Sequence, residues 1–562
     1  MSMKEELAVI ISNSVHLGMA EVLNMIEIPP NPELGDYAFP CFQLAKSLRK
    51  APDSIASDLV SRMEGSPIIE KVEALGGYLN FFMSRKCYAE SVLKEIDSNE
   101  NYGSSDMGLG KTILVEFSSP NIAKPFHIGH LCSTVIGNSL EKIYRHLGYH
   151  TVKINHLGDW GTQFGKLISA FTRWGDEDRL KTEPIRELLR IYIRFHEESE
   201  KDRDLENEAR NYFKRLEEND PFTVGLWKRF TELSMIEFNK IYDMLGITFD
   251  SFNGESFYSD KMEEVVAILD RKGLLKESEE AKVVDLEEYN MPACLILKSD
   301  GASIYSTRDL AAAIYRNRTY DFDKCIYVVG TPQTLHFQQV FRVLQMAGFE
   351  WYRNCIHVGF GHVRFADRKM ATRTGDVVFL EDVLKESVIK SMAKIEENNP
   401  YLAEKEEVAK KVGVGAIVYA FLKNSRERDI VFSWDEILNF DGDTAPYIQY
   451  TYARGKSILR KAGEVNFTID YSLLGSNEEY SLVKLLEGFK AAVREAAQKN
   501  EPCIISRHIA ELSRAYNKFY NMHPVLRADD NIKCARLSLT EAVCKTLKIG
   551  LYLLGIEVCE EM

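Results

Sequence analysis

The stretch Leu114–His130, LVEFSSPNIAKPFHIGH, restricts the fold more than any other part of the chain. It opens in the apolar, β-branched run Ile113-Leu114-Val115, suited to a buried strand. It is followed by Leu131 to Leu147, whose apolar residues recur at helical spacing until Gly148 ends them. The crossover between carries Pro120, Pro125 and Gly129, so His127 and His130 fall where the helix begins. A helix start has unpaired backbone N–H groups and a partial positive charge, which favour phosphate oxygens. Two imidazoles in H-x-G-H spacing add donors for charge developing on a phosphoryl group, and the glycine lets backbone approach closely. The stretch reads as a nucleotide site. The histidine pair alone would not carry that reading, because H-x-x-H recurs by chance. A zinc site would want a Cys or a third His close by, and none is close in sequence, so no metal ligands are assigned.

A chain of 562 residues is longer than one core organises and implies roughly two to four domains. The net charge of −14 argues against indiscriminate nucleic-acid binding, yet a local basic groove on an acidic body can still hold a polyanion. Ten scattered cysteines without a C-x-x-C pair fit reduced thiols in the cytoplasm. No signal peptide is recognisable and no run approaches the roughly 20 apolar residues that span a bilayer, so a cytoplasmic protein away from membranes is expected.

Along the chain, residues 3–25 carry one amphipathic helical pattern. A Pro- and Gly-rich turn region, two helical patterns and strand-like runs at Ile68-Ile69 and Tyr78–Phe82 follow, and Gly103, Gly108 and Gly110 mark a linker. Residues 1–108 are thus a small α+β domain. Thr151–Asn155 is a second strand, running into HLGDWGTQFGKL, where Asp159, Trp160 and Gln163 can face the site. Residues 171–245 are charge-dense and helical, read as solvated helix faces without chemistry, and short strands and loops follow from Phe249. Both belong to an insertion at about 171–300 within an α/β domain of residues 109–404. Asp309 stands at the head of a helix Leu310–Arg316, where a helix N-cap is the plainest role. Lys324–Gly330 is a buried strand whose carboxyl end sets Gln333 in the crevice of an open α/β sheet. From about Lys405 to residue 562 the pattern is helical throughout. There Tyr447, Tyr450 and Arg454 recur at i, i+3 and i+7, placing two rings and a cation on one face. Such a stripe is ordinarily core, but rings beside a cation also suit unpaired bases.

These motifs resemble one family. The crossover resembles the HIGH motif of class I aminoacyl-tRNA synthetases, which holds ATP at the first crossover of a Rossmann-like sheet. Lys369-Met370-Ala371-Thr372-Arg373 looks like their KMSKS loop. Y-S-T-R-D-L-A-A, followed by V-V-G-x-x-Q-x-x-H-F-Q-Q, resembles the arginyl-tRNA synthetases more narrowly, as do GDY…LAK…GGYLNFF and the ending LLGIEVCEEM. The resemblance covers essentially the whole chain. It implies an α/β fold: a Rossmann-like parallel-sheet catalytic domain, a small α+β N-terminal domain, and an all-α C-terminal domain, residues 405–562, that binds the anticodon.

The resemblance also implies the chemistry. Arginine and ATP give arginyl-adenylate and pyrophosphate, and the 2′-hydroxyl of the 3′-terminal adenosine of tRNA(Arg) then takes the arginine. Magnesium accompanies ATP, and no prosthetic group is needed. ATP would lie on His127, Gly129, His130, Lys369 and Met370, with His127, His130, Lys124, Lys369 and Arg373 carrying catalysis. Arginine would meet Glu116, Ser119, Asn121, His130, Tyr305, Asp309 and Gln333. Tyr78 and Asn80 would touch the tRNA elbow, and Tyr447, Tyr450 and Arg454 the anticodon. A guanidinium is planar, always charged and presents five donors, so a carboxylate can pair it bidentately. Lysine matches the charge without the fork and citrulline the shape without the charge. Leaving such buried partners unpaired rejects an analogue by roughly 10⁴ or more. Ala371 replaces the usual serine and Thr374 a common lysine, but Lys369 and Arg373 remain. A class I enzyme for another amino acid is disfavoured by the Tyr305, Asp309 and Gln333 set. A non-catalytic paralogue is disfavoured by intact His127, His130 and Lys369. By family habit the chain is a monomer that activates arginine only with tRNA bound.

Overall fold

The computed structural model describes residues 3–63, 65–278, 281–298, 305–365, 378–439, 442–463 and 469–562. The N-terminal region holds helices α1 (Met3–Val15) and α2 (Met19–Met25), strand β1 (Tyr37–Pro40), helices α3 (Phe42–Leu48) and α4 (Pro52–Met63), strands β2 (Ile69–Leu75) and β3 (Tyr78–Met83), and helix α5 (Arg85–Ser98). The single helix expected over residues 3–25 is two, bent by 114°. His16 turns left-handed at φ 55°, and the bend returns Val22 and Met25 to the core already occupied by Leu7 and Ile11. The strands form an antiparallel sheet in the order β1-β3-β2. β1 was not expected because all four of its residues are buried, so it lacks the alternation that marks a half-buried strand.

The central sheet is built from β4 (Thr112–Glu116), which leads through α6 (Ile128–His146) to β5 (His150–Ile154). Helices α7 (Thr162–Trp174), α8 (Glu177–Thr182), α9 (Pro184–Ser199), α10 (Asp204–Glu217) and α11 (Pro221–Leu245) follow. Then come α12 (Met262–Arg271) and a small antiparallel sheet of β6 (Leu275–Ser278), β7 (Ala281–Val284) and β8 (Cys294–Leu297). The chain returns through α13 (Tyr305–Tyr320), β9 (Lys324–Val328), α14 (Thr334–Met346) and β10 (Cys355–Val358). The sheet order is β10-β9-β4-β5, parallel throughout. Ile113 to Glu116 are buried, as a strand covered on both faces requires. β4 hands the chain to β5 on one side while β9 flanks it on the other. The crevice at the carboxyl ends of β4 and β9 is therefore a topological switch point, where open α/β sheets receive ligands. α13 begins at Tyr305, so Asp309 lies inside the helix, not at its N-cap.

Strand β11 (Val363–Phe365), α15 (Leu380–Asn398), α16 (Lys405–Leu422), β12 (Ile430–Phe432), α17 (Trp434–Ile437), α18 (Ala445–Ala462), α19 (Asn477–Lys499), α20 (Cys503–Met522) and α21 (Asp530–Leu553) complete the chain. The segment beyond Lys405 is not helical throughout, because β12 pairs in parallel with β11. The N-terminal unit docks on α19: Lys490 reaches Glu95 at 2.7 Å, and the Tyr37 hydroxyl donates to Glu487 at 3.2 Å. All ten thiols are free, and Cys87 alone among them is not buried. Among the described residues no single helix is long and apolar enough to cross a membrane.

Candidate active site

The loop from Phe117 to His127 is shaped by close packing and unusual backbone. Ser118, Ser119 and Ala123 are left-handed at φ 70°, 47° and 61°. Such conformations cost about 1–3 kcal/mol each outside glycine and persist only where the surroundings impose them. Gly137 in α6 admits the loop: an added Cβ would sit 2.2 Å from the Phe117 side chain. Gly158 does the same across the crevice, where a Cβ would meet Asn121 Oδ1 at 2.2 Å. The backbones also bond there, Ile122 N–H to the Gly158 carbonyl and Gly158 N–H to the Pro120 carbonyl, both at 3.1 Å.

His127 caps α6, its Nδ1 accepting the Gly129 N–H at 3.1 Å, while His130 Nδ1 accepts the His127 N–H at 3.2 Å. The rings stack with centroids 3.9 Å apart. Burial, aided by the nearby Lys124 ammonium, pushes His127 down to about 4. Burial, then His127 and Lys124, hold His130 well below the ordinary imidazole range. Both rings are therefore neutral at pH 7. A neutral ring that accepts at Nδ1 carries its proton at Nε2, so the caps leave each histidine as an Nε2–H donor. Phe379 bridges to His127, and the Leu380 N–H donates to the Phe126 carbonyl at 3.0 Å. The chain beyond the KMSKS-like segment thus returns directly to these histidines. Lys369, Met370 and Arg373 themselves lie outside the described residues.

A second, acidic cluster gathers beside the loop after β5, which packs on Asn121: the Glu255 N–H donates to the Leu157 carbonyl at 2.9 Å. Asp309 is partly buried and its Oδ2 lies 2.5 Å from His336 Nε2. Burial opposes its charge, but the His336 hydrogen bond and the charges of His336, His156 and Arg316 hold Asp309 below the ordinary carboxylate range. Tyr305, one turn earlier, is exposed, with Arg308 5.7 Å from its ring centroid. Gln333 is exposed in the turn after β9. Ser119 and Asn121 are half-buried in the left-handed loop. Glu116 is met from within the protein: its Oε2 lies 2.5 Å from Arg316 Nη1, with the two side chains 7% and 1% exposed. Its negative charge is neutralised there rather than turned to a ligand.

Sequence reasoning passed over Glu255, Arg308, Arg316 and His336. Glu255 Oε2 pairs with Arg308 Nη1 at 2.8 Å. Burial pushes Glu255 up to about 7, Arg308 opposing and Asp309 and Asp159 adding to the rise, so it belongs to the same acidic cluster. His336 stands in the H-F-Q-Q motif, the one signal that marked its position. Asp159, expected to face the site, instead fixes the turn carrying Glu255: its two oxygens accept the Ser256 N–H at 2.8 Å and the Ser256 hydroxyl at 2.6 Å. Trp160 packs against Trp227 and Phe213 of the insertion.

The remaining expected contacts lie elsewhere. Arg454 sits 4.8 Å from the Tyr450 ring centroid and 5.1 Å from that of Tyr520, on a groove of about 840 Å³ that Arg460, Lys461 and Arg527 also line. Tyr447 opens on an adjoining groove, its hydroxyl accepting from Asn517 Nδ2 at 3.0 Å. Tyr78 is half-buried beside Phe42, whereas Asn80 is only 5% exposed in the middle strand of the N-terminal sheet.

Residues 92–434 match the family described as tRNA synthetases class I (R), catalytic domain. Residues 448–562 match the DALR anticodon binding domain and residues 1–83 the arginyl tRNA synthetase N terminal domain. The arginine–tRNA ligase of Clostridium beijerinckii is 57% identical over 564 residues and that of Clostridium perfringens 56% over 566, each alignment covering 100% of both chains. The Thermus thermophilus arginyl-tRNA synthetase structure superposes with a TM-score of 0.81 at 28% identity, covering 96% of each chain. That from Plasmodium falciparum gives 0.80 at 25% identity, covering 100% of this chain and 99% of its own. With two neutral histidine donors at a helix start, three matching domain families and full-length relatives of one kind, the chain belongs to the class I arginyl-tRNA synthetases.

Proposed function

We propose that this protein is an ATP-dependent arginine–tRNA ligase that charges tRNA(Arg). The observation that carries the reading is the helix start at the switch point, bearing two Nε2–H donors, and it is supported by Asp309, held ionised on α13 near His156 of the loop after β5. Arginine sets its guanidinium against Asp309 and Tyr305, and its α-amino and carboxylate groups beside Ser119, Asn121, His130 and Gln333. ATP enters with Mg²⁺ as a substrate complex and lays its phosphates across the start of α6. The ionised arginine carboxylate attacks the α-phosphorus, the P–O bond to pyrophosphate breaks, and pyrophosphate leaves with the electron pair. His127 and His130 donate to the charge that builds on the phosphoryl oxygens, with Lys124, Lys369 and Arg373 neutralising the leaving group; one such donor is worth about 10²–10³ in rate. The terminal 2′-hydroxyl then attacks the adenylate carbonyl and AMP departs. No covalent enzyme intermediate is required, since positioning and charge stabilisation suffice.

Residues 1–108 serve as the tRNA-elbow domain, 109–404 as the catalytic domain and 405–562 as the anticodon domain, the last using Tyr447, Tyr450 and Arg454. The rings and cation on the α18 groove support this, because single-stranded bases bind by stacking beside positive charge. The ten free thiols suit a cytoplasmic enzyme, and we take it as a monomer. The test is ATP–pyrophosphate exchange against each amino acid, with and without tRNA. Exchange supported by arginine and tRNA together is expected; exchange with another amino acid and not arginine refutes the reading.

A further inference from the structure

We propose that α11 of the insertion is a positioning element of the amino-acid site, in which Tyr242, helped by Ser234, holds the Ser118–Ala123 loop in its receptive shape. The inference rests on the reading of Ser119 and Asn121 as arginine contacts. Ser234, Phe238 and Tyr242 follow at four-residue intervals and form one buried stripe of the helix. That stripe faces the loop: the Phe238 and Tyr242 rings meet Phe126 edge-on at centroid distances of 5.5 and 5.7 Å. The Tyr242 hydroxyl lies 2.8 Å from Ser118 Oγ and accepts the Asn155 Nδ2–H at 2.9 Å. Ser118 Oγ in turn lies 3.0 Å from Thr134 Oγ1, which is 2.8 Å from the His130 carbonyl oxygen. One phenol therefore links the insertion to the loops after β4 and β5 and to the second histidine of the pair. Eight residues earlier, Ser234 Oγ accepts the Ala123 N–H at 3.0 Å.

The two tethers fall on two of the three left-handed residues, Ser118 and Ala123. Ser119, also left-handed, and Asn121 lie between them and inherit their placement. Ser118, Ser234, Tyr242 and Asn155 are all less than 5% exposed, so water cannot replace a lost partner at this point. Phenylalanine at 242 would keep the ring and its packing and delete only the hydroxyl. The consequence belongs to the loop's shape, and hence to arginine affinity, more than to the chemical step.

The experiment uses the full-length protein with tRNA present, comparing Tyr242→Phe, Ser118→Ala and the double variant in ATP–pyrophosphate exchange, alongside thermal denaturation. Each single change is expected to raise the arginine KM about tenfold with a smaller change in kcat, and the double to raise it by less than the product of the two, since both delete the Tyr242–Ser118 bond while only the first loses the Asn155 bond and only the second the Thr134 bond. An arginine KM within about twofold of the parent, a loss confined to Tm, or multiplying effects in the double overturns the inference. Should Tyr242→Phe fail to fold, Ser118→Ala carries the KM comparison alone. A parent enzyme without arginine dependence would instead overturn the reading of the pocket, which keeps the two failures apart.

Discussion

Asp309→Asn tests the pocket with little change of shape. The carboxylate sits on α13 with Oδ2 held by His336 Nε2 at 2.5 Å, and among the described residues that is the hydrogen bond it makes, so Oδ1 can receive a guanidinium N–H. Burial works against its charge, and His336, His156 and Arg316 keep it ionised in spite of that. The site is thus prepared to hold an anion before any ligand arrives. Asparagine keeps the size, and one oxygen still accepts, but the charge goes and an N–H now faces a guanidinium that has only donors to offer. A charge-assisted hydrogen bond contributes about 1.5–3 kcal/mol, equivalent to a rise in arginine KM of about 10- to 150-fold. The kcat at saturating arginine should fall less, because the reacting carboxylate lies at the other end of the substrate. The assay is exchange against arginine concentration with tRNA saturating, repeated with citrulline as competitor. Citrulline has no charge to lose, so its inhibition constant should change little and discrimination should narrow. An unchanged arginine KM in folded Asp309→Asn protein, or an equal loss for citrulline, would show that this carboxylate does not pair the guanidinium.

Arg316→Met should leave Glu116 an unpaired buried charge, lowering stability by about 3–5 kcal/mol, and adding Glu116→Gln should recover much of the loss; a Tm equal to the parent's in the single variant contradicts the ion pair's role. His127 in the folded state lies at about 4, below its unfolded value, so between pH 6.5 and about 4 the unfolded chain binds more protons. Its contribution, up to ~3 kcal/mol, is therefore complete above that window and lost as pH falls through it. His127→Asn, which can still cap the helix, should flatten the stability profile between pH 6.5 and 4.5, and parallel profiles would refute the assignment. Arg454→Ala should weaken tRNA binding about tenfold at fixed salt while the arginine KM stays put; filter binding decides, and unaltered affinity removes α18 from the tRNA surface.

The parts of this molecule that could be read from sequence are those whose cause is local. A β-branched run, two prolines and a glycine are enough to place β4, the crossover and the start of α6, because each acts on its own backbone or on the next turn. The acidic cluster depends on partners brought together by the fold. Glu255 meets Arg308 across 53 residues and Asp309 meets His336 across 27, and nothing in either neighbourhood announces the other. Arg316 and Arg318 make the difficulty concrete. They stand two apart in one helix with similar neighbours, yet the first is 1% exposed against Glu116 and the second 55% exposed against Glu264. Position on the helix relative to β4 decides which is buried against the sheet, and that is a tertiary fact. β12 was missed for the same reason, since its pairing partner β11 lies 67 residues earlier, as between Ile430 and Val363.

The insertion shows a different blindness. Its charge density marks solvated faces, and its ion pairs are indeed largely of that kind, such as Arg229 with Glu177. Reading by charge nevertheless passes over the uncharged stripe beneath. In water a serine or tyrosine hydroxyl exchanges one partner for another at little cost, so such residues in a helical pattern carry no signal. In a dry core each hydroxyl must be matched, and an unmatched one is expensive. Ser234 and Tyr242 are matched to backbone and side chain of the loop that the ligand meets, so the cost of mismatching them falls on that loop's conformation. A surface that looks like packing from its charges can in this way set the geometry of a binding site through two neutral oxygens.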